Sequence, residues 1–437
     1  MRTALALLAS LALFPARTNA QMIPDPWHGA ATAFLWQLER GAFDSAAASV
    51  TELPGNPMSA GRLEQIWGQL RGQVGSLRQL SPVGDTLVDT MRVVDLDARF
   101  ERAPLRLRVS LTPARRIAGF FVIPGASSAP VPPPPYVDTS TFRDVDVTIG
   151  DGRWRLPGTL SLPATDARAP VVVLVHGSGP NDRDGTAGSS KPLRDLAWGL
   201  ASRGIAVLRY DKRTFAHRGA MAADSVTLAA EVIDDALAAI ALARGRPETD
   251  SARVFVLGHS LGGLLAPEIA ARDGRLTGAI LMAAPARSIL EVLPEQLDYI
   301  ASLARSDAER DQIAAMRASV TALAAGTLAA DSIVLGAPAY YWREVASVDP
   351  VARARAIETP LLILQGARDY QSTMEDFARW REGLAGRDGV TMKSYPALNH
   401  LFIAGTGRAT PAEYAGGGIV AEEVIADIAT WIGVGAR

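Results

Sequence analysis

One stretch constrains the fold of this 437-residue chain more than any other. Val254-Phe255-Val256-Leu257 runs without a break into Gly258-His259-Ser260-Leu261-Gly262-Gly263, and a helical pattern begins at Leu264. A short apolar run that ends in glycines and turns into a helix is the junction between a buried strand and its following helix. The turn is so tight that a side chain beside Ser260 would meet the strand or the helix, which is why glycine stands there. The same turn lifts the Ser260 hydroxyl clear of the sheet edge. It also sets the Leu261 amide at a helix N-terminus, where an N–H has no partner inside the helix.

From residue 140 onward the rest of the chain fits that junction. Continuous apolar runs at 171–175, 205–210, 254–257, 278–282, 361–364 and 390–395 alternate with helical patterns, as strands buried on both faces do. Residues 145–149 and 153–162 read as an opening antiparallel pair around Gly150-Asp151-Gly152. These eight strands predict an α/β domain over 140–437: a mostly parallel eight-stranded sheet with helices on both faces. The gap at 285–360 is alanine-rich, helically patterned and far too long for a connection, so it predicts a helical cap insertion above Ser260.

A smaller α+β domain is expected over residues 27–124. Ala31, Phe34, Leu35 and Leu38 recur at helical spacing, as do Leu63, Ile66, Trp67 and Leu70. After Pro82-Val83-Gly84 the period changes to two. Leu105, Leu107, Val109 and Leu111 alternate with Arg106, Arg108 and Ser110, and a turn at 112–116 leads to a strand at 117–123. The proline-rich run at 127–135 predicts an extended linker over 125–139.

Residues 1–20 read as a secretory signal: Arg2, an apolar run over 4–15, and Thr18-Asn19-Ala20 as the cleavage site. Export to a periplasm or to the exterior is expected, and the run is too short for stable membrane insertion. The chain has no cysteine, which removes thiolate nucleophiles, disulfides and cysteine-bound metals together. With 46 acidic against 44 basic residues, no global positive field points to nucleic acid. Lysine occurs only at Lys191, Lys212 and Lys393. None closes a Ser-x-x-Lys, because Gly188, Arg209 and Val390 stand at the required positions, so Ser–Lys hydrolases are excluded. Composition sets no oligomeric state.

A serine hydroxyl needs a base to become a nucleophile, and the chain offers five histidines. His28 lies in the first domain, and His259 adjoins Ser260 with its side chain expected elsewhere. His176 opens a glycine loop, and His217 follows the 205–210 strand. His400 follows the last strand, at the carboxyl end where ligands gather in open parallel sheets, and is the expected base. Asp369 is the first acid after the 361–364 strand and the expected orienting carboxylate; Glu375 and Asp376 already lie in the next helical pattern. The loop Val175-His176-Gly177-Ser178-Gly179-Pro180 lets backbone approach a developing negative charge. The amides of Ser178 and Leu261 are therefore the expected oxyanion donors. His176 and the polar residues 181–184 are expected to brace that loop.

Other signals fail. Asp182-Arg183-Asp184-Gly185 lacks the acid that a calcium loop would need at Pro180, and Gly177-x-Gly179 meets Asp182 in place of a third glycine. No metal or cofactor is expected. Tyr340, Tyr341 and Trp342 in the cap either line an acyl pocket or pack the cap onto the sheet.

Residues 140–437 resemble the α/β-hydrolase superfamily. The segments 176–185 (His-Gly-Ser-Gly-Pro-Asn-Asp-Arg-Asp-Gly), Arg209-Tyr-Asp-Lys-Arg213 and Gly258-His-Ser-Leu-Gly262 look like a group of exported bacterial serine esterases with a small α+β domain in front. The resemblance implies an α/β-hydrolase fold and hydrolysis of small-molecule carboxylic esters through Ser260, Asp369 and His400. The cap region departs from that resemblance and carries no assignable pattern, which leaves substrate size open. The alternatives are a peptidase or acyltransferase on the same three residues, or a binding protein with a vestigial site.

Overall fold

The computed structural model describes residues 25–51, 58–88, 90–123, 131–217, 221 and 226–434. The expected signal segment and residues 125–130 of the expected linker lie outside them. The chain divides into two compact units, 1–123 and 124–437.

In the first unit α1 (Pro26–Glu39), α2 (Phe43–Ser49) and α3 (Ala60–Val74) precede four strands, β1 (Leu77–Val88), β2 (Met91–Phe100), β3 (Pro104–Leu111) and β4 (Ile117–Ile123). Asp25 caps α1 by accepting from the Trp27 amide at 2.8 Å, and Pro26 supplies a preset φ at the first helical position. The stripe Ala31, Phe34, Leu35 and Leu38 is buried against Val94, Leu96, Val109 and Leu111 of the antiparallel sheet β1-β2-β3-β4. On the other sheet face Arg108 grips Asp95 with two bonds of 2.7 and 2.8 Å, and Arg106 meets Asp97 at 2.9 Å. The period-two pattern therefore starts earlier than the sequence reading set it. β1 runs straight through Pro82-Val83-Gly84 with a register shift there. Proline is tolerated because β1 is an edge strand, where a missing N–H breaks no ladder.

The second unit opens with the hairpin β5 (Phe142–Ile149) and β6 (Leu156–Pro163), followed by β7 (Ala169–Val175), α4 (Pro192–Ala201), β8 (Ala206–Tyr210) and the single turn α5 (Arg213–Ala216). Next come α6 (Asp234–Gly245), β9 (Thr249–His259), α7 (Leu261–Asp273) and β10 (Gly278–Met282). The cap contains α8 (Ile289–Ser302), α9 (Asp307–Ala324), a two-residue-strand hairpin of β11 (Ile333–Val334) and β12 (Ala337–Pro338), α10 (Ala339–Ala346) and α11 (Pro350–Arg355). The chain then closes with β13 (Leu361–Gly366), α12 (Met374–Gly383), β14 (Val390–Tyr395), α13 (Pro411–Gly416) and α14 (Glu422–Val434).

The eight strands are ordered β14-β13-β10-β9-β7-β8-β6-β5, parallel except where β6 pairs with β5 and β8. Alternate side chains leave the sheet on opposite faces. Val171 and Val173 join Val232, Ala236 and Ile240 on the α6–α7 face, while Val172 and Leu174 join Leu196, Leu200, Ile425 and Ile428 on the α4–α14 face. This is why β7 is apolar throughout. β14 departs from the expected two-sided burial: as an edge strand it alternates, with Thr391 and Lys393 exposed. No helix among the described residues is long and apolar enough to cross a membrane.

Candidate active site

Ser260 sits between β9 and α7 at φ 55°, ψ −116°, a backbone conformation that costs a non-glycine residue about 1–3 kcal/mol. It persists because neighbours close in around it. The Ser260 amide donates to the Met282 carbonyl at 2.9 Å. A Cβ on Gly258 would overlap the Gly262 carbonyl, and one on Gly262 would overlap the Val175 carbonyl. The two glycines let β9, α7 and β7 meet behind the serine.

His400 and Asp369 come from the loops after β14 and β13, which are adjacent strands. The His400 Nδ1 lies 2.6 Å from Asp369 Oδ2. A carboxylate can only accept, so Nδ1–H donates and the Nε2 lone pair is left available. The acid is anchored from the other side: Oδ1 accepts from the amides of Gln371 at 2.7 Å and Ser372 at 3.2 Å. Gln365 Nε2 reaches Oδ2 at 3.3 Å and holds the Ser372 carbonyl at 2.7 Å. Asn399 fixes the histidine loop by accepting from the Leu401 and Ile403 amides at 3.0 and 3.1 Å.

His259, expected to point elsewhere, packs against the histidine loop. Its ring lies 4.7 Å from that of His400, and its Nε2–H donates to the His400 carbonyl at 2.9 Å. Burial pushes its imidazole down to about 3, with His400 adding to the effect, so the ring is neutral at pH 7. His176 behaves alike: Nε2 donates to the Asp182 carbonyl at 3.1 Å, and burial, with the nearby Lys212, pushes it down to about 3. His217 lies elsewhere, donating to the Arg155 carbonyl at 3.0 Å, and His28 lies in the first unit beside Asp85.

Residues 177–185 form a loop held by charges. Asn181 Nδ2 donates to the carbonyls of Ser178 and Gly179, both at 3.0 Å, and reaches that of Gly177 at 3.3 Å. Arg183 grips Asp211 with two bonds of 3.0 Å, and Asp184 bridges Lys191 at 2.8 Å and Arg209 at 3.1 Å. Asp182 accepts from the Thr186 amide and hydroxyl at 2.9 and 2.7 Å. Lys212, missed in the sequence, reaches the Gly177 carbonyl at 2.9 Å.

Ser260, His400, Ser178 and Leu261 all line one cavity of about 410 Å³. Its far wall comes from the cap: Ile289, Val292 and Leu293 of α8 with Trp342 and Val345 of α10. Polar side chains among its lining include Asn181, Thr186, Gln296, Gln371, Tyr370 and Tyr414; among the described residues that line it there is no Asp, Glu, Lys or Arg. Of the three cap aromatics, only Trp342 lines the cavity, with Nε1 bonded to the Val334 carbonyl at 2.6 Å. Tyr341 turns away because its hydroxyl donates to the buried Glu231 at 2.6 Å, and Tyr340 packs half-buried against the core. The α8 wall had a readable signal in the apolar spacing 289, 292, 293 and 297.

Residues 166–405 match the model of a family described as serine aminopeptidase, S33. An esterase of Thermotoga maritima, EstD, is 36% identical over 399 residues, covering 91% of this chain and 93% of that protein, so the likeness takes in most of both units. Among solved structures, the Pyrococcus furiosus esterase PF2001 superposes with a TM-score of 0.42 at 15% identity, over 67% of this chain and 90% of that one. Est1E of Butyrivibrio proteoclasticus gives 0.43 at 16%, over 66% and 99%. A mostly parallel eight-stranded sheet, a serine on the turn after its central strand, and a family match that takes in β7 to β14 all agree: this chain is a hydrolase of the serine aminopeptidase S33 family of α/β-hydrolases.

Proposed function

We propose that this protein hydrolyses small carboxylic esters through an acyl-enzyme formed on Ser260. The observation that carries this reading is the buried His400–Asp369 pair, 2.6 Å apart, opening onto the same cavity as Ser260. His400 Nε2 takes the Ser260 proton as Oγ bonds to the ester carbonyl carbon. Asp369 keeps the ring in the Nδ1–H tautomer and stabilises the imidazolium. The amides of Leu261 and Ser178 receive the negative oxygen. Collapse breaks the bond to the alcohol oxygen, which leaves with the proton from His400; a water activated by the same nitrogen then releases the acid.

The name of the matched family raises the aminopeptidase alternative. An aminopeptidase must hold the substrate's α-ammonium, and a cation in a partly buried site needs a carboxylate partner. The lining among the described residues includes none, whereas an uncharged ester meets amide, hydroxyl and apolar groups there. EstD, an esterase by name, supports the same choice.

A fluorophosphonate should label Ser260 and no other residue. p-Nitrophenyl acetate should be cleaved while aminoacyl p-nitroanilides are not; the reverse preference would sink the ester reading. Export with cleavage after Ala20 is part of the proposal, and N-terminal sequencing of the protein recovered outside the cytoplasm tests it.

A further inference from the structure

Lys212 is one of only three lysines in the chain, and its side chain is 2% exposed. An ammonium withdrawn from water is costly unless it is paired and hydrogen-bonded. Its Nζ lies 3.0 Å from Glu231 Oε1 and donates to the Gly177 carbonyl at 2.9 Å. Glu231 stands on a single π-helical turn, Ala229–Ile233, and is held in place by the Thr214 hydroxyl at 3.1 Å and the Tyr341 hydroxyl at 2.6 Å. A buried ion pair is weak support for stability, since apolar residues of similar volume often serve as well. The informative partner is the carbonyl.

A peptide unit is planar and trans, so the Gly177 C=O and the Ser178 N–H point in opposite directions. Fixing the oxygen on Lys212 fixes the direction of that N–H. The peptide runs directly against the serine: a Cβ on Gly177 would lie 3.1 Å from the Ser260 Cβ. A cation on the oxygen also polarises the amide, and a polarised N–H is a better donor.

We propose that Lys212 is a positioning residue that orients and polarises the Gly177–Ser178 peptide, so that the Ser178 N–H donates to the oxyanion formed at Ser260. The proposal rests on the reading of Ser260 as a nucleophile. Glu231 holds the ammonium in place, and Tyr341 ties Glu231 to the cap. Asn181, 3.3 Å from the same oxygen, is a second and uncharged pin. Loss of Lys212 therefore removes charge from the peptide while the loop keeps a holder. Because Lys212 acts through a group that meets developing charge, its effect falls on kcat and not on KM.

The test combines Lys212→Met with Glu231→Gln, which removes both charges and leaves no lone buried carboxylate. Two rates are measured: labelling of Ser260 by a fluorophosphonate, and turnover of p-nitrophenyl acetate. Both should fall by about 10- to 100-fold, with KM within about twofold and an unchanged far-UV spectrum. A labelling rate within about threefold of the wild type, or a loss confined to KM, overturns the proposal. The wild-type protein supplies a check that needs no variant. In a crystal structure of the phosphonate adduct, the phosphoryl oxygen should lie within about 3.1 Å of the Ser178 nitrogen, with Lys212 still on the Gly177 carbonyl. An adduct oxygen held by other amides overturns the proposal however the double variant folds. If the wild type is labelled at Ser260 yet cleaves no ester, the ester reading fails and the labelling rates still judge Lys212.

Discussion

The two walls of the cavity are built in different ways. The strand-end wall consists of loops after β7, β9, β13 and β14, and it is held by charged and backbone hydrogen bonds: Arg183 on Asp211, Asp184 between Lys191 and Arg209, Asp369 on two amides. The cap wall is held mainly by apolar side chains of α8 and α10. Directional bonds fix atoms where a reacting carbonyl must meet them, while apolar contact is proportional to area and indifferent to orientation. Under the proposed function, the first wall performs the chemistry and the second sorts substrates.

The division breaks most visibly at the strand-end wall. Ser260→Ala and His400→Ala should each lower kcat on p-nitrophenyl acetate by roughly three or more orders of magnitude, and Asp369→Asn should be nearly as severe. Circular dichroism should show intact folding in each. If His217→Ala were as damaging as His400→Ala, the assignment of the base would fall.

Asp211→Asn sharpens the same point without touching the three residues. It weakens the grip on Arg183, so kcat should drop by about tenfold while KM stays within about twofold. A rise in KM with kcat unchanged would put this loop on the sorting side.

Acid stability gives the next contrast. Burial holds His176 and His259 near 3, below the roughly 6.5 of an unfolded histidine. The unfolded chain therefore binds more protons, and stability falls as pH drops from about 6.5 towards 3. Each ring contributes a slope of about 1.4 kcal/mol per pH unit inside that window. Urea unfolding of His259→Asn between pH 4.5 and 6 should show a slope smaller by about that amount. An unchanged slope would mean that the ring is already charged in the folded protein.

The smallest effect belongs to the cap wall. Trp342→Ala should raise KM for longer acyl esters by several-fold, leaving kcat on acetate within about threefold. A profile from acetate to decanoate checks this; a lowered melting temperature with an unchanged profile would make Trp342 packing alone.

What the sequence disclosed follows the same division. The strand-end positions of Ser260, Asp369 and His400 are readable because strand ends are fixed by local pattern, and each is the first suitable group after its strand. Tyr341 was not readable, because its side-chain direction is decided by Glu231, 110 residues away, and residue type alone shows only an apolar body with a polar tip. His259 was set aside for facing away from the reaction, yet its bond to the His400 carbonyl depends on two loops meeting. Pro82 looked like a break because tolerance of proline depends on being at the sheet edge, a property of strand order and not of β1 itself. β14, by contrast, shows its edge position in its own residues: Thr391 and Lys393 carry the alternation of an edge strand.

The cap leaves the sheet after β10 and returns at β13, and these two strands pair directly, Ala279 opposite Leu361 and Met282 opposite Leu364. Its two ends are thus fixed by a ladder in which the cap takes no part. The entropy of closing such an excursion grows only with the logarithm of its length, about 0.6 kcal/mol for each doubling. The pairing of β10 with β13 beneath Ser260 therefore does not depend on the length of residues 285–360, although Tyr341 of that segment still reaches across to Glu231. Because the segment is contiguous, it can change length as one piece of coding sequence while the sheet that carries Ser260 keeps its pairing.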